Sequence, residues 1–283
     1  MEVRDFALNI LQTPDVDAKL RPARTGLTDS APGVPLRLES PARPPELRIV
    51  SVRQAKVPAI EGFVDPAQRP RILHGFANHE LQAVELYAWV LLAFPDAPAA
   101  FRAEALEILA EEQIHCRLYL SRLRAYGTRF GDFPVTGYFW NKVDDYVSPL
   151  RFVCAMALVF EYANLDHTTE SLRVTLAHGD SETAKIVARV HEDEKGHVNF
   201  GWRWLAELKD SEQSMWEAYC SCVRWPLRPG LARGRVFNAS SRVAAGLDPE
   251  FIRRLEEAER NAPPPPSTAG EMGEMGETGE TGA

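Results

Sequence analysis

The sequence lacks any apolar run long enough to cross a bilayer. Its longest runs, such as Phe152–Phe160, fall far short of the roughly 20 residues a spanning helix needs. Cysteine is scarce. The four present (Cys116, Cys154, Cys220 and Cys222) form no C-x-x-C pair, which excludes a disulfide scaffold and a thiolate zinc site. Positive charge is in deficit: 32 Lys and Arg face 40 Asp and Glu, a formal net charge of −8. Four of the excess acids (Glu271, Glu274, Glu277 and Glu280) sit in the last thirteen residues. A broad nucleic-acid surface is therefore argued against, although a local basic pocket is not. No G-x-S-x-G, G-x-G-x-x-G or Walker motif occurs, so serine-hydrolase and nucleotide-fold chemistry lack support. Met1–Gln12 mixes Glu2, Arg4 and Asp5 into a short apolar stretch and does not read as a secretory leader. These absences predict a reduced, soluble, cytoplasmic protein without a membrane segment.

Proline is present but unevenly placed: ten of 21 fall in residues 1–70, interleaved with Arg, Ser and Gly. That region reads as an extended arm opening with a short amphipathic helix. Beyond it, four long stretches carry apolar residues at helical spacing: about Leu73–Phe94, Pro98–Tyr126, Ser148–Ala177 and Ser181–Leu208. Pro95, Gly127 and Gly179 punctuate them, and Asp180 or Ser181 caps the fourth. An aromatic-rich crossover, Thr128 to Tyr146, joins the two pairs, and no segment alternates like a strand. The reading is all-α: a helix bundle over 71–210, a long N-terminal arm over 1–70 and a C-terminal helical wrap over 211–261. Helices are expected near Glu212–Arg224 and Pro249–Arg260. The Pro- and Gly-rich tail, 262–283, has no apolar face and reads as disordered. Trp202, Trp204, Trp89 and Trp140 are expected to pack the bundle against its extensions.

Two E-x-x-H motifs, Glu112-Gln113-Ile114-His115 and Glu194-Lys195-Gly196-His197, carry the chemistry. At about 100° per residue, positions i and i+3 share one helix face, so each motif can offer a carboxylate and an imidazole to one metal. Each has a glutamate one helix upstream: Glu80 precedes Glu112 by 112 − 80 = 32 residues, and Glu161 precedes Glu194 by 194 − 161 = 33. The halves thus repeat like a degenerate duplication of a helix pair. One Glu from each of two helices and one Glu-x-x-His from each of the others is the ligand set of di-iron and di-manganese carboxylate bundles. Two divalent cations would neutralise four buried carboxylates, and oxygen ligands with two imidazoles favour iron or manganese over zinc. Glu111 and Asp193, preceding the motifs, are placed to accept the outer N–H of His115 and His197 or of their counterparts across the bundle.

Glu85 competes with Glu80. They lie about 140° apart around a helix, and only Glu80 reproduces the spacing of the other half. Tyr87 returns to the face of Glu80. His167 points about 120° away from Glu161 and reads as structural or supporting. His191 reads as packing and His178 as a helix C-terminus; His74 and His79 have no spacing that recommends them. Cys116 reads as a small buried apolar group. Arg224, Arg228, Arg233, Arg235 and Arg242 occur with no acid from Ala218 to Leu247. They suit either an anion site or a wrap that pairs with the acidic bundle.

The [DE]-E-x-x-H pairs resemble the ferritin-like di-metal carboxylate superfamily. Closer resemblance lies in His79-Glu80-Leu81-Gln82-Ala83-Val84-Glu85-Leu86, Gly131-Asp132-Phe133-Pro134-Val135, Phe160-Glu161 with Leu165-Asp166, Asp193-Glu194-Lys195-Gly196-His197-Val198, and Phe237-Asn238 with Ala245-Gly246. It points to an uncharacterised bacterial ferritin-like family, a domain of unknown function related to the tRNA hydroxylase acting on methylthio-isopentenyl-adenosine, and covers about residues 1–260. The resemblance implies a ferritin-like four-helix bundle. It also implies two iron ions, or manganese, or a mixed Fe/Mn pair, on Glu80, Glu112, His115, Glu161, Glu194 and His197. Tyr87 then corresponds to a tyrosine near the metals that could shuttle an electron or proton. The expected activity is that of a non-haem oxidase or monooxygenase using dioxygen on a small-molecule substrate. Electrons would come from a donor protein or the substrate, and a homodimer is compatible with it. The alternatives are a non-catalytic metal-binding or storage protein and a tRNA-directed hydroxylase, the second disfavoured by the net acidity.

Overall fold

The structure is a computed structural model and describes residues 1–23 and 26–260; the tail expected to be unstructured, 262–283, lies outside the described residues. The described chain is mostly helical. Four long helical stretches dominate: α3 (Arg69–Ala93), α4 (Ala99–Ala125), a third running through α5 (Pro149–Ala155) and α6 (Tyr162–Ala177), and α7 (Ser181–Leu208). They follow α1 (Val3–Gln12) and α2 (Val16–Lys19) and precede α8 (Met215–Cys222), α9 (Ala239–Ala244) and α10 (Pro249–Glu257). No helix among the described residues is long and apolar enough to cross a membrane.

Local chemistry explains the boundaries. Ser148 accepts the Arg151 amide at 3.2 Å, with Pro149 in the first turn of α5. Asp180 caps α7 by accepting from the Thr183 amide at 3.0 Å. Ser214 and Glu217 form a reciprocal capping box on α8, and Asp248 caps α10. Short turns leave α3 against α4 and α6 against α7, and α4 also packs on α7. One shared core results, to which Leu81, Leu109, Phe152 and Phe200 all belong.

Between α5 and α6 the helix widens into a π-helical stretch, Met156–Glu161. It packs on α7, where a Cβ at Gly201 would sit 2.5 Å from the Ala157 Cβ. Only glycine allows that approach. A residue is thereby accommodated without breaking the helix, and Glu161 ends the widened turn.

The arm and the wrap are bound to the long helices by buried charge. Glu85 on α3 pairs with Lys19 at 3.1 Å and with Arg43 at 2.5 Å, all three almost without exposure. Arg43 also donates to Asn78 Oδ1 at 3.0 Å. Asp166 on α6 pairs with the buried Arg242 guanidinium at 2.6 and 2.9 Å and accepts the amides of Gly234 and Asn238. Arg242 therefore belongs to an internal anchor rather than an exposed basic patch. Val3, Phe6, Ile10 and Leu11 of α1 are buried in the shared core.

Trp89 and Trp140 donate to the carbonyls of Leu38 and Glu39, tying the arm down. Trp202 meets Phe251 of α10, whereas Trp204 packs on Phe101 and Phe200 between the long helices. A two-residue parallel pair, β1 (Ile49–Val50) with β2 (Val135–Thr136), joins the arm to the crossover. Its two residues per strand are too few to produce an alternating pattern.

Removing Glu85 strands two buried cations, so Glu85→Ala should lower the unfolding free energy by roughly 3–5 kcal/mol. Urea denaturation followed by circular dichroism measures it. A loss under about 1 kcal/mol, the worth of an exposed pair, would contradict this anchoring role.

Candidate metal centre

α3 brings Glu80, α4 Glu112 and His115, the π-helical turn Glu161, and α7 Glu194 and His197 to one place inside the helices. Glu112, His115, Glu194 and His197 are fully buried; Glu80 and Glu161 keep 7% and 4% exposure. Ligand-capable atoms of Glu80, Glu112, His115 and Glu194 lie within 4.8 Å of one another, as do those of Glu112, Glu161, Glu194 and His197. Two groups of four therefore share Glu112 and Glu194. Each adds one outer glutamate and one imidazole.

The imidazoles are oriented from outside. His115 Nε2 is 3.1 Å from Asp193 Oδ2, and His197 Nε2 is 2.9 Å from Glu111 Oε2. An ionised carboxylate only accepts, so each Nε2 carries a hydrogen and Nδ1 is turned inward. The acid before each motif thus serves the histidine of the opposite motif, across α4 and α7. Asp193 is held in turn by Arg189 Nε at 2.6 Å. Inside, His197 Nδ1 is 3.1 Å from both Glu112 Oε1 and Glu194 Oε2, more than one N–H can satisfy. His115 Nδ1 stands 3.5 Å from Glu112 and 3.7 Å from Glu80. Asn164 donates to Glu194 Oε1 at 2.9 Å.

Both oxygens of Glu112, Glu161 Oε1, His115 Nδ1 and the Tyr87 hydroxyl are buried without a hydrogen-bond partner. Such groups are costly to leave unpaired, and here the carboxylate and imidazole atoms among them converge. Protons carry part of the load. Burial, followed by the charge of Glu112, raises the Glu80 pKa well above the usual glutamate range. Burial, then Glu194 and Glu112, does the same to Glu161. Burial alone would raise Glu112 and lower both histidines, but their partners prevail: His115 and His197 hold Glu112 low, Asp193 with Glu112 raises His115, and Glu194 with Glu111 raises His197. Four carboxylates and two imidazoles with orphaned inward atoms and fixed outer hydrogen bonds fit a pair of hard divalent cations.

Tyr87, on α3, packs edge-on against Phe152 at 5.4 Å, and its phenol is held protonated by burial and by the charges of Glu161, Glu112 and Glu194. Glu85 does not join the cluster, being committed to Lys19 and Arg43. His191 bridges Thr168 and Ser241 and so fastens the wrap. His74 accepts the Gly131 amide at 2.9 Å, and His178 closes α6. Cys116 is buried, its thiol donating to the Ala77 carbonyl.

A cavity of about 410 Å³ borders the cluster and reaches it through Glu80 and Glu161 alone of the six. Phe76, Tyr119, Tyr138, Phe139 and Phe160 contribute to its walls, together with His79 and His167. Burial pushes His79 down to about 4, whereas His167 is exposed to solvent at the cavity's edge. His79 and Asn164 were not singled out for the site in the sequence, and His167 only as a structural or supporting residue. Only the aromatic content of the crossover hinted at the cavity.

At about pH 6, where exposed glutamates are ionised, Glu80 and Glu161 should remain protonated in metal-free protein. Infrared difference spectra should show a protonated-carboxyl stretch that diminishes in Glu80→Gln and Glu161→Gln. A spectrum lacking this band would refute the assignment.

No curated protein and no solved structure matches the chain. The profile of the family described as "Protein of unknown function (DUF455)" matches residues 6–253. That span takes in both anchors, all six clustered side chains and most of the wrap, so the chain is a member of this family.

Proposed function

We propose that the cluster holds two metal ions, iron or manganese or one of each, in a ferritin-like four-helix bundle, and that the protein is a non-haem di-metal oxidase or monooxygenase. The observation that carries this reading is the twinned donor set, with Glu112 and Glu194 common to both groups. Glu80 with His115 would complete one site, and Glu161 with His197 the other. When bound, such a pair supplies reversible redox chemistry and the means to activate dioxygen on a small-molecule substrate.

The protein's own groups prepare that chemistry. Asp193 and Glu111 fix the imidazole rings with Nδ1 inward. The fully buried quartet seals one side, while Glu80 and Glu161 border the cavity where a substrate can approach. Tyr87 keeps its proton in an apolar niche beside the carboxylates and is placed to pass a proton or an electron. Electrons come from a donor protein or from the substrate. The cavity favours an enzyme over a storage protein, since storage needs no substrate chamber. An RNA-directed reaction is disfavoured because Arg242 is buried and Arg235 is paired with Glu61.

Protein purified without added metal should contain roughly two iron or manganese ions per chain. Glu112→Ala and His197→Ala should lose most of them, while Glu85→Gln should keep them. Asp193→Asn should weaken metal affinity roughly 10–100-fold. Elemental analysis and competition with a chelator give these numbers, and a metal-free wild type that takes up neither ion would overturn the proposal. Oxygen uptake should depend on substrate and fall in Tyr87→Phe at unchanged metal content.

Metal uptake should also release protons and strengthen as pH rises. The raised pKa values of Glu80, Glu161, His115 and His197 mean that a cation must displace protons there. Calorimetry in buffers of differing ionisation enthalpy tests the sign.

A further inference from the structure

The cavity beside the cluster has an apolar interior and a charged rim, and the two halves of that description restrict what fits. Phe76, Ala83, Tyr119, Phe139, Phe160 and Val187 make its walls largely apolar, with His79, Asn164, Thr168 and Ser171 among them. A charged group would pay heavily to sit among them. About 410 Å³ lies within the roughly 300–1,000 Å³ that encloses a small organic molecule.

The rim is built by the arm and the wrap: Glu61 from one, Arg235 and Arg260 from the other, with Glu170 of α6 alongside. Glu61 is already paired with Arg235. Arg260 donates only to the Arg233 carbonyl and has no carboxylate partner among the described residues. Two guanidinium groups thus meet two carboxylates at the rim; Glu61 occupies Arg235, and Arg260 is left without a carboxylate of its own.

We propose that this cavity binds a small molecule with an apolar, aryl-sized body and a single carboxylate, the body lying between Phe76, Tyr119 and Phe160 and the carboxylate meeting Arg260 and Arg235 at the rim. The proposal deepens the reading above by naming the substrate class, and it rests on that reading only for the molecule's being a substrate. Bound this way, the end remote from the carboxylate faces Glu80 and Glu161. Binding of the anion competes with Glu61 for Arg235, so the arm and the wrap part locally as the molecule enters.

The test uses the full chain as purified and again after chelation of metal, with three probes of one shape: naphthoate, naphthalenemethanol and naphthylmethylamine. Naphthoate should bind about tenfold more tightly than the alcohol, two partly exposed charge contacts contributing that much together, and the amine should bind least. Arg260→Gln should bring naphthoate close to the alcohol. Glu61→Gln should tighten naphthoate about threefold by freeing Arg235, an effect opposite in sign to that of any general damage. Ala163→Phe in the wall, or Ala59→Trp at the mouth should the first unfold, should weaken both naphthoate and the alcohol. Equal or tighter binding of the alcohol or amine, no response to Arg260→Gln, or binding indifferent to both blocking variants overturns the proposal. Because binding is read with and without metal, its failure is distinct from failure of the metal reading, which elemental analysis decides.

Discussion

A carboxylate removed from water must find a cation, a hydrogen-bond donor or a proton, because the bare charge costs several kcal/mol. This constraint organises the molecule. Glu85 finds Lys19 and Arg43, Asp166 finds Arg242 and two backbone amides, and Asp180 finds Arg122, Tyr126 and the start of α7. Each of these acids is matched with groups distant in sequence, so each ties two parts of the chain together. The four glutamates of the cluster are the exception. Their histidines are themselves turned by outer acids, and atoms of Glu112 and Glu161 stay unpaired. A set of buried acids left short of partners, in a protein that satisfies its other buried acids so fully, is a place that could hold a metal ion.

The same anchors explain why so much chain lies outside the four long helices. The arm and the wrap contribute little regular structure, yet they close the cavity: residues 57–61 from one side, Leu231, Arg235 and Arg260 from the other. Glu85 lies little more than a helical turn from Glu80 on α3, and Asp166 a similar distance from Glu161 on α6. The fastening points of the two extensions are therefore built into the helices that bear the outer glutamates. Anything that loosens an anchor disturbs the cavity before it disturbs the quartet sealed between α4 and α7.

Much of this was legible in the sequence. Helix positions followed from apolar spacing and from stop and start residues such as Gly127, Gly179 and Asp180, because those signals are local. The preference for Glu80 over Glu85 followed from the repeat, since duplicated helix pairs preserve spacing even where residue identity has drifted. The reason for Glu85 was not legible: its partners come from the arm, and pairing across 42 or 66 positions leaves no periodic trace. The π-helical turn was equally hidden, as Met156–Glu161 contains neither proline nor glycine, and the close contact that favours it is made by Gly201 on another helix. Arg242 read as one of a basic group because its carboxylate partner, Asp166, lies 76 positions upstream. The cavity, lined from the arm, the crossover, the wrap and all four long helical stretches, has no sequence signature.

The two halves match in their motifs and differ in how the outer glutamate is delivered. Glu80 sits in a regular helix, whereas Glu161 ends a widened turn pressed against α7 by the Gly201 contact. A duplicated pair of straight helices would present equivalent glutamates in equivalent walls. Widening one wall changes which residues follow Glu161 around the helix, so that Asn164 meets Glu194 and also lines the cavity with Ala163 and His167. On the α3 side, Ala83 takes the place of Asn164, three residues after its glutamate, and His79 that of Phe160. The donor set thus remains close to symmetric while its surroundings do not. That combination suits a donor set whose two halves share Glu112 and Glu194 yet border the cavity from one side only.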